Sequence, residues 1–155
     1  MNVQHALSEL DATERFFNRT TECLDEADAG FAPVDGMMTV AQQVAHVAST
    51  VEWFVDGVFR GHGFDMDFEA GAAKVNAVAS LAAARAWLTR GFAAARDAVA
   101  SMSDAELAAP LPENPILHGP LYATVEAIID HTGHHRGALS VYARLLGKVP
   151  AMPYM

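Results

Sequence analysis

Three of the seven histidines of this chain lie in one short segment, Asp130 to Gly137, and histidine is the commonest protein ligand of transition metals. The segment belongs to a stretch from about Leu121 to Leu146 whose apolar residues recur at helical spacing. On such a helix His131 and His135 lie one turn apart on the buried face, and His134 falls on its shoulder. Two imidazoles at i and i+4 can point at one ion, so the pair predicts a site for a divalent transition metal.

The helical wheel divides this stretch into two faces. The solvent side is predicted to contain Glu126, Asp130, Gly133, Gly137, Ser140, Arg144 and Lys148, and the buried side Ile128, Thr132, Leu139, Tyr142 and Leu146. The alternative for His131 and His135 is a structural role, in which each neutral ring donates to a carbonyl of the core. No Glu follows His131, so this is not the His-Glu-x-x-His pattern of zinc proteases. A third ligand must come from elsewhere in the chain.

Two neighbours of the histidines are candidates for contact with a substrate. Arg136 could bind a substrate carboxylate, or it could pair with Asp130 or Glu126 on its own helix. Tyr142 lies two turns beyond His135 on the same face and could position a substrate, or it could belong to the core. The sequence offers no acid or base side chain at a spacing that predicts a role in catalysis.

The third ligand is open between several histidines, of which His46 lies inside a predicted long helix. His5 is close to the start of the chain, and His62 and His118 lie in loops rich in Gly or Pro. Measured from the valine stripe of its helix, His46 falls on a shoulder shared with Gln43, Thr50, Trp53 and Gly57. Because that shoulder could face a second helix or the solvent, spacing alone leaves ligand and exposed residue equally supported.

The elements that must position these residues are predicted to be helices. The first spans about Gln4 to Glu26, the second starts at Thr39 and ends before Gly61, the third runs from a Ser80 cap to about Ala100, and the last is the histidine helix. A short turn is expected at Ser103 to Leu107, and Gly61 to Ala73 is expected to be irregular. Four long helices in residues 1–155 predict one domain, an all-α four-helix bundle.

Composition limits the classes of partner. Apolar residues make up 52% of the 155 residues, charged residues 19%, and the net charge is −9. A nucleic-acid partner is not expected, because binding phosphates requires a basic face. Neither a membrane-spanning segment nor a signal peptide is predicted, and Cys23 is the only cysteine, so a cytoplasmic protein is expected.

Two segments of the chain carry a resemblance to a known family. They are Thr39-Val40-Ala41-Gln42-Gln43-Val44-Ala45-His46, and His131-Thr132-Gly133-His134-His135-Arg136-Gly137-Ala138-Leu139. With the closing Gly147 to Tyr154 they resemble the DinB/YfiT-like superfamily of proposed metalloenzymes. The resemblance implies an up-down-down-up bundle, often a homodimer, that holds a divalent metal through His46, His131 and His135. Ala138 departs from the pattern, in which Gln is frequent, but that position is not a ligand.

The predicted site favours an enzyme over a structural protein, without settling the reaction. Three imidazoles from rigid helices leave coordination positions open, and the metal, with Zn or Ni favoured, could polarise a carbonyl, activate water or bind a thiolate. The resemblance implies a transferase or isomerase that acts on a small molecule with a low-molecular-weight thiol. A metal-dependent hydrolase is the second hypothesis, and a non-catalytic, stress-related helical bundle is the third.

Overall fold

Six α-helices make up most of the computed structural model, which describes residues 1–154. They are α1 (Val3–Thr21), α2 (Val40–Phe54), α3 (Phe68–Asn76), α4 (Leu81–Ala100), α5 (Asp104–Leu107) and α6 (Ala123–Leu145). A 3-10 turn at Glu26–Asp28 follows α1, and a π-helical turn at Val55–Phe59 extends α2. Within residues 1–154 every regular element is helical, which confirms the all-α class predicted from the sequence.

The starts of α2, α4 and α5 lie where the sequence supplies capping side chains. Thr39 Oγ1 accepts from Gln42 N at 3.3 Å, and Gln42 Oε1 accepts from Thr39 N at 2.9 Å, so the predicted capping box starts α2. Ser80 Oγ accepts from Ala83 N at 3.2 Å and starts α4 in the same way. The short helix α5 has a capping box of its own at Ser103. These caps confirm three predicted helix starts.

The four long helices form a ring in which α2 and α1 each pack against both α4 and α6. Small residues let α2 and α4 approach closely, since a Cβ added to Gly91 would lie 3.4 Å from the Ala48 carbonyl oxygen. Large side chains from all four helices fill one core, among them Leu10, Phe17, Val44, Leu88, Phe92, Ile128 and Leu139. The predicted bundle of four helices is confirmed, and the up-down-down-up order of their directions stays a prediction. No helix in residues 1–154 has the length and apolar character needed to cross a membrane.

Two predictions about helix bounds were wrong. The first helix ends at Thr21 and not near Glu26, because Arg85 Nη2 of α4 donates to the Thr21 carbonyl oxygen at 2.7 Å and caps that end. The segment expected to be irregular as far as Ala73 contains α3 from Phe68 onward. Asp67 Oδ1 accepts from Ala70 N at 2.9 Å and starts this helix.

The end of α6 also differs from the wheel. The helix stops at Leu145, and Gly147 turns the chain with φ +76°, a backbone conformation that favours glycine. Lys148 therefore leaves the solvent side predicted for it, and its ammonium group binds Asp25 at 2.9 Å and also binds Asp28. The tail after α6 is thereby held to the segment after α1.

Candidate metal centre

Histidines of α2 and α6 meet between the two helices. His46 comes from α2, His131 and His135 come from α6, and their potential ligand atoms all lie within 4.8 Å of one another. His131 Nε2 is 3.2 Å from His46 Nε2, and the three ring centroids are 4.5 to 5.0 Å apart. The structure thus brings together the three residues that the sequence analysis named as ligands.

The shoulder of α2 that carries His46 faces α6. Spacing alone had left a second helix and the solvent as equal alternatives for this shoulder. Gln43 and His46 lie one turn apart on this shoulder, and both reach α6 histidines: Gln43 contacts His135, and His46 contacts His131. The contact follows from the packing of α2 on α6, which the sequence of α2 does not encode by itself. His46 is consequently half-buried at the helix interface.

A chain of hydrogen bonds behind His135 fixes the orientation of its ring. His135 Nδ1 lies 2.5 Å from Gln43 Oε1, and because an amide oxygen only accepts, Nδ1 carries the proton. Gln43 Nε2 donates to the Tyr142 hydroxyl at 3.4 Å, and that hydroxyl donates to the Met38 carbonyl oxygen at 3.1 Å. The Met38 carbonyl oxygen can only accept, so the Tyr142 hydroxyl must donate to it. That hydroxyl then accepts from Gln43 Nε2, which leaves Gln43 Oε1 to accept from His135. His135 Nε2 is left with a free lone pair, which is the form of histidine that binds a metal.

His131 has no comparable support. Its Nδ1 is buried and has no hydrogen-bond partner within residues 1–154. Its Nε2 faces His46 and also lies 3.5 Å from Thr50 Oγ1, one turn beyond His46 on α2. Metal-binding histidines usually donate their second N–H to an acceptor. His135 is therefore the better oriented of the two α6 residues.

Burial keeps the three imidazoles neutral. Burial, followed by the charges of His131, His46 and His134, lowers the pKa of His135 to about 3. Burial, followed by His46 and His134, lowers the pKa of His131 to about 4, although Asp130 acts in the opposite direction. The pKa of His46 is also lowered, first by burial and then by His134. Neutral imidazoles at pH 7 are a requirement for metal ligation.

The spacing of the donor atoms fits a transition metal. Two nitrogens that each lie about 2.0–2.1 Å from a tetrahedral zinc ion are about 3.3 Å apart. The 3.2 Å between His46 Nε2 and His131 Nε2 is close to that value. A set of three neutral imidazoles is also a ligand set that divalent transition metals accept. These three histidines could hold a metal ion.

The other residues proposed near the site lie around this cluster. His134 is exposed, with its ring edge-on to His135 at 4.9 Å between centroids, which agrees with its position on the shoulder of the wheel. Tyr142 is buried, and its hydroxyl is engaged with Gln43 and Met38. In this arrangement Tyr142 belongs to the core and supports His135 through Gln43. A contact between Tyr142 and substrate stays a prediction.

Arg136 does not form the ion pair that was one of the two alternatives predicted for it. The described residues show no ion pair between Arg136 and either Asp130 or Glu126. Its guanidinium carbon instead lies 5.9 Å from the centre of the Phe16 ring on α1, a cation–π contact. The prediction of local pairing was wrong because the wheel shows neighbours on the same helix and not those on α1. The alternative, a contact with a substrate carboxylate, stays a prediction.

The remaining histidines lie outside the cluster. His5 and His118 are exposed, on α1 and in the loop before α6. His62 is exposed in the loop after the π-helical turn and lines a cleft that also reaches His46. Of the four candidates for the third ligand, His46 is the one that the structure brings to the α6 pair.

This cleft lies beside the histidine cluster and has a volume of about 740 Å³. Its wall is formed by α2, the π-helical turn, the loop after this turn, α3, and Trp87 of α4. The lining includes His46, Thr50, Trp53, Phe64 and Phe68. The Phe64 ring packs against the π-helical turn, where a Cβ on Gly57 would come within 2.6 Å of Phe64 Cδ1. A small molecule in the cleft would contact His46 directly.

Sequence reasoning missed the roles of Gln43 and Thr50. Both were placed on the same shoulder of α2 as His46, but no contact with His131 or His135 was predicted for either. The available signal was their spacing, since they lie three residues before and four residues after His46 and so share its helix face. An amide or hydroxyl beside a candidate ligand on the same face is the pattern that would have found them.

The fold and the histidine cluster define a helical-bundle protein with a candidate metal centre. The family model for the DinB superfamily matches residues 9–139, so the chain belongs to the DinB superfamily. No curated protein matches the chain.

Solved structures share the fold along nearly the whole chain. A DinB-like protein from Bacillus cereus matches with a TM-score of 0.77 at 18% identity, and the match covers 97% of each chain. A DinB-like protein from Bacillus subtilis matches with a TM-score of 0.68 at 14% identity, covering 96% of this chain and 97% of the other. A conserved protein from Enterococcus faecalis has a TM-score of 0.71 at 18% identity, covering 96% and 99%. At these identities the similarity establishes the fold alone.

Proposed function

We propose that this protein is a divalent-metal-dependent enzyme that holds its metal through His46, His131 and His135 and transfers or isomerises a small molecule with a low-molecular-weight thiol. The observation that carries the proposal is the approach of three neutral imidazoles, two of them with Nε2 atoms 3.2 Å apart. When bound, a zinc or nickel ion would act as a Lewis acid toward a thiolate or a carbonyl group.

The residues around the ligands support a site for chemistry over a purely structural one. Three protein ligands leave a coordination position open, whereas structural zinc sites use four protein ligands. The cleft beside His46 gives a substrate access, and Thr50 Oγ1 offers it a hydrogen bond close to His131 Nε2. Gln43 and Tyr142, which hold His135, are outside the lining of the cleft, so a substrate need not displace them.

Metal analysis tests the first half of the proposal. Purified protein is treated with EDTA, reconstituted with Zn²⁺ or Ni²⁺, and measured by elemental analysis for metal per chain. We expect close to one ion per chain, and loss of that ion in His46→Ala, His131→Ala and His135→Ala. The matched control is His134→Ala, which changes an exposed neighbour and should keep the metal. Unchanged metal content in His131→Ala would contradict the proposed site.

Activity assays separate the three functional hypotheses. Metal-loaded protein is mixed with cysteine, glutathione or N-acetylcysteine and the electrophile monobromobimane, and in parallel with p-nitrophenyl esters. We expect faster thiol conjugation that disappears in His46→Ala. Acceleration of ester cleavage alone would support the hydrolase hypothesis. No acceleration of either reaction by protein with one metal per chain would support the non-catalytic bundle.

The assembly and location of the protein remain predictions of the same proposal. A homodimer is expected, and analytical ultracentrifugation of the metal-loaded protein measures it directly. A cytoplasmic location is expected, and cell fractionation checks it.

A further inference from the structure

The cleft beside His46 carries a strong excess of negative charge. Its lining contains four carboxylates and one ammonium group, a formal charge of −3. The carboxylates are Glu52, Asp56, Asp65 and Asp67, and the ammonium is Lys74. The whole chain has a net charge of −9, so the field around the cleft also favours the approach of cations.

Three of these carboxylates have neutral partners. Glu52 Oε2 accepts from Trp87 Nε1 at 3.2 Å, Asp65 Oδ1 accepts from the Asp67 backbone N at 3.0 Å, and Asp67 Oδ1 accepts from Ala70 N at 2.9 Å. These bonds orient the carboxylates without neutralising them. Asp56 differs, because Arg60 forms an ion pair with it at 2.6 Å. Glu52, Asp65 and Asp67 thus keep their charge for a ligand.

Aromatic rings lie among the carboxylates. The Trp53 ring centroid is 4.4 Å from that of Phe64 and 6.2 Å from that of Phe68. The indole N–H of Trp53 donates to the Asp65 carbonyl oxygen at 2.7 Å, which fixes the ring in the cleft wall. Aromatic faces attract cations and also bury apolar groups. The lining therefore matches a molecule that is both cationic and apolar.

We propose that the cleft binds a small organic cation, an ammonium group carried on an apolar or aromatic body, and presents it to the histidine cluster. This inference rests on the proposed function, because the cation would be the substrate of that site. Glu52 lies six residues after His46 on α2, a rise of about 9 Å at 1.5 Å per residue. The ammonium group would therefore bind further along α2 than His46, toward the π-helical turn.

An anionic substrate fits this cleft poorly. Near Glu52, Asp65 and Asp67 a carboxylate or phosphate would meet like charges, and Lys74 is the one cationic side chain in the described lining. A neutral molecule of the same shape would gain from the aromatic surface and lose the attraction of the carboxylates. Charge is thus the property of the ligand that the cleft selects.

Three probes of nearly equal size test this selection: phenethylammonium, phenethyl alcohol and hydrocinnamate, which are cationic, neutral and anionic. Both tryptophans of the chain, Trp53 and Trp87, line the cleft, so intrinsic fluorescence reports binding there. Titrations are run on EDTA-treated and on metal-loaded protein. We expect the cation to bind at least tenfold more tightly than the alcohol, and the anion to bind most weakly. Raising NaCl from about 50 to 500 mM should weaken only the cation, because salt screens the carboxylates.

Charge-neutralising variants identify the source of the preference. The double variant Glu52→Gln with Asp65→Asn keeps the size of both side chains and should bring cation and alcohol to within threefold of each other. The matched control is Glu126→Gln with Asp35→Asn, which removes the same charge from exposed positions outside the lining and should leave the preference intact. Circular dichroism checks that both double variants are folded.

The outcomes distinguish this inference from the proposed function. Equal binding of the three probes, a preference for the anion, or no binding of the cation below 10 mM would overturn the inference, whatever the metal content. A preference for the cation that survives in the control and vanishes in the cleft variant supports it. If EDTA-treated protein prefers the cation while metal analysis finds no bound ion, the inference about the cleft is supported and the metalloenzyme proposal is refuted.

Discussion

Gln43 on α2 accepts a hydrogen bond from Nδ1 of His135 on α6, with 2.5 Å between the two atoms. The amide is itself held, since its Nε2 donates to Tyr142. One side chain thus links the two helices that carry the candidate ligands and also determines which nitrogen of His135 can bind a metal.

Replacing Gln43 by Leu should weaken metal binding by about 10- to 100-fold, the usual effect of removing such an outer partner. The replacement leaves the His135 ring without its acceptor, so both its orientation and its tautomer become free. Competition titration of Zn²⁺ against a chromophoric chelator measures the affinity. Gln43→Glu, which keeps an acceptor at the same place, should bind Zn²⁺ more tightly than Gln43→Leu. Gln4→Leu is the control, because Gln4 is exposed on α1. Equal affinity in wild type and Gln43→Leu would refute the role.

Tyr142→Phe should lower the free energy of unfolding by about 1–2 kcal/mol, because the Gln43 amide and the Met38 carbonyl both lose a buried partner. Metal affinity should fall less than in Gln43→Leu, since the bond to His135 remains. Urea denaturation of EDTA-treated protein gives the first quantity, and the chelator titration gives the second. A larger loss of affinity than in Gln43→Leu would assign Tyr142 a direct contact with the metal or its ligands.

The metal-free protein should lose stability as the pH falls below about 6.5. In the unfolded chain the histidines take up protons near pH 6.5, whereas folding lowers the pKa of His131 to about 4 and that of His135 to about 3. Between those values the unfolded state binds more protons, so the free energy of unfolding decreases toward low pH, by up to about 1.4 kcal/mol per pH unit for each group.

Urea denaturation in EDTA at several pH values between 4 and 8 measures this dependence. In His131→Gln the dependence between pH 6.5 and 4 should be smaller than in wild type. His134→Gln serves as the comparison, because His134 is exposed. An identical slope in wild type and His131→Gln would show that His131 is not one of the groups responsible.

Gly57→Ala should destabilise the protein by about 1–3 kcal/mol, as expected for overpacking. The added Cβ would lie 2.6 Å from Phe64 Cδ1, so the Phe64 ring must move out of its position in the cleft. Gly71→Ala on α3 is the matched control, since its Cβ would meet nothing within 4 Å. There alanine should be neutral or stabilise by up to about 1 kcal/mol through its helix propensity. Thermal unfolding of the two variants, compared with wild type, decides the point; a stable Gly57→Ala would mean that Phe64 is loosely held.

Periodicity predicted the α6 part of the site well, for a physical reason. The helix is regular from Ala123 to Leu145, so an angle of about 100° per residue holds along its length and separates buried His135 from exposed His134. Spacing alone could not predict His46, which was named by the family resemblance, because that would have required knowledge of which side of α2 meets α6. That depends on the packing of whole helices, which the spacing within one helix does not contain.

The wrong predictions considered only residues that are close together along the chain. Arg136 was compared with acids on its own helix, while its contact is Phe16 on α1. The first helix was extended toward Glu26, while Arg85 of α4 caps it at Thr21. The short helix α3 was hidden by Gly71 near its centre and by its mostly exposed sequence, in which Val75 is the one buried residue. In each case the deciding group lies far along the chain or gives a weak periodic signal.

The π-helical turn at Val55–Phe59 separates the part of α2 that carries His46 from the loop that forms part of the cleft wall. Residues before it, including Gln43, His46 and Thr50, belong to the regular α-helix that faces α6. A π-turn changes the phase of the helix. The residues beyond it are therefore not bound to the α-helical spacing that places the histidines. An insertion or deletion after Phe59 would alter the mouth of the cleft and leave the histidine cluster in place. A relative could therefore acquire a different cleft by changes in that loop alone, while the histidine cluster is inherited unchanged.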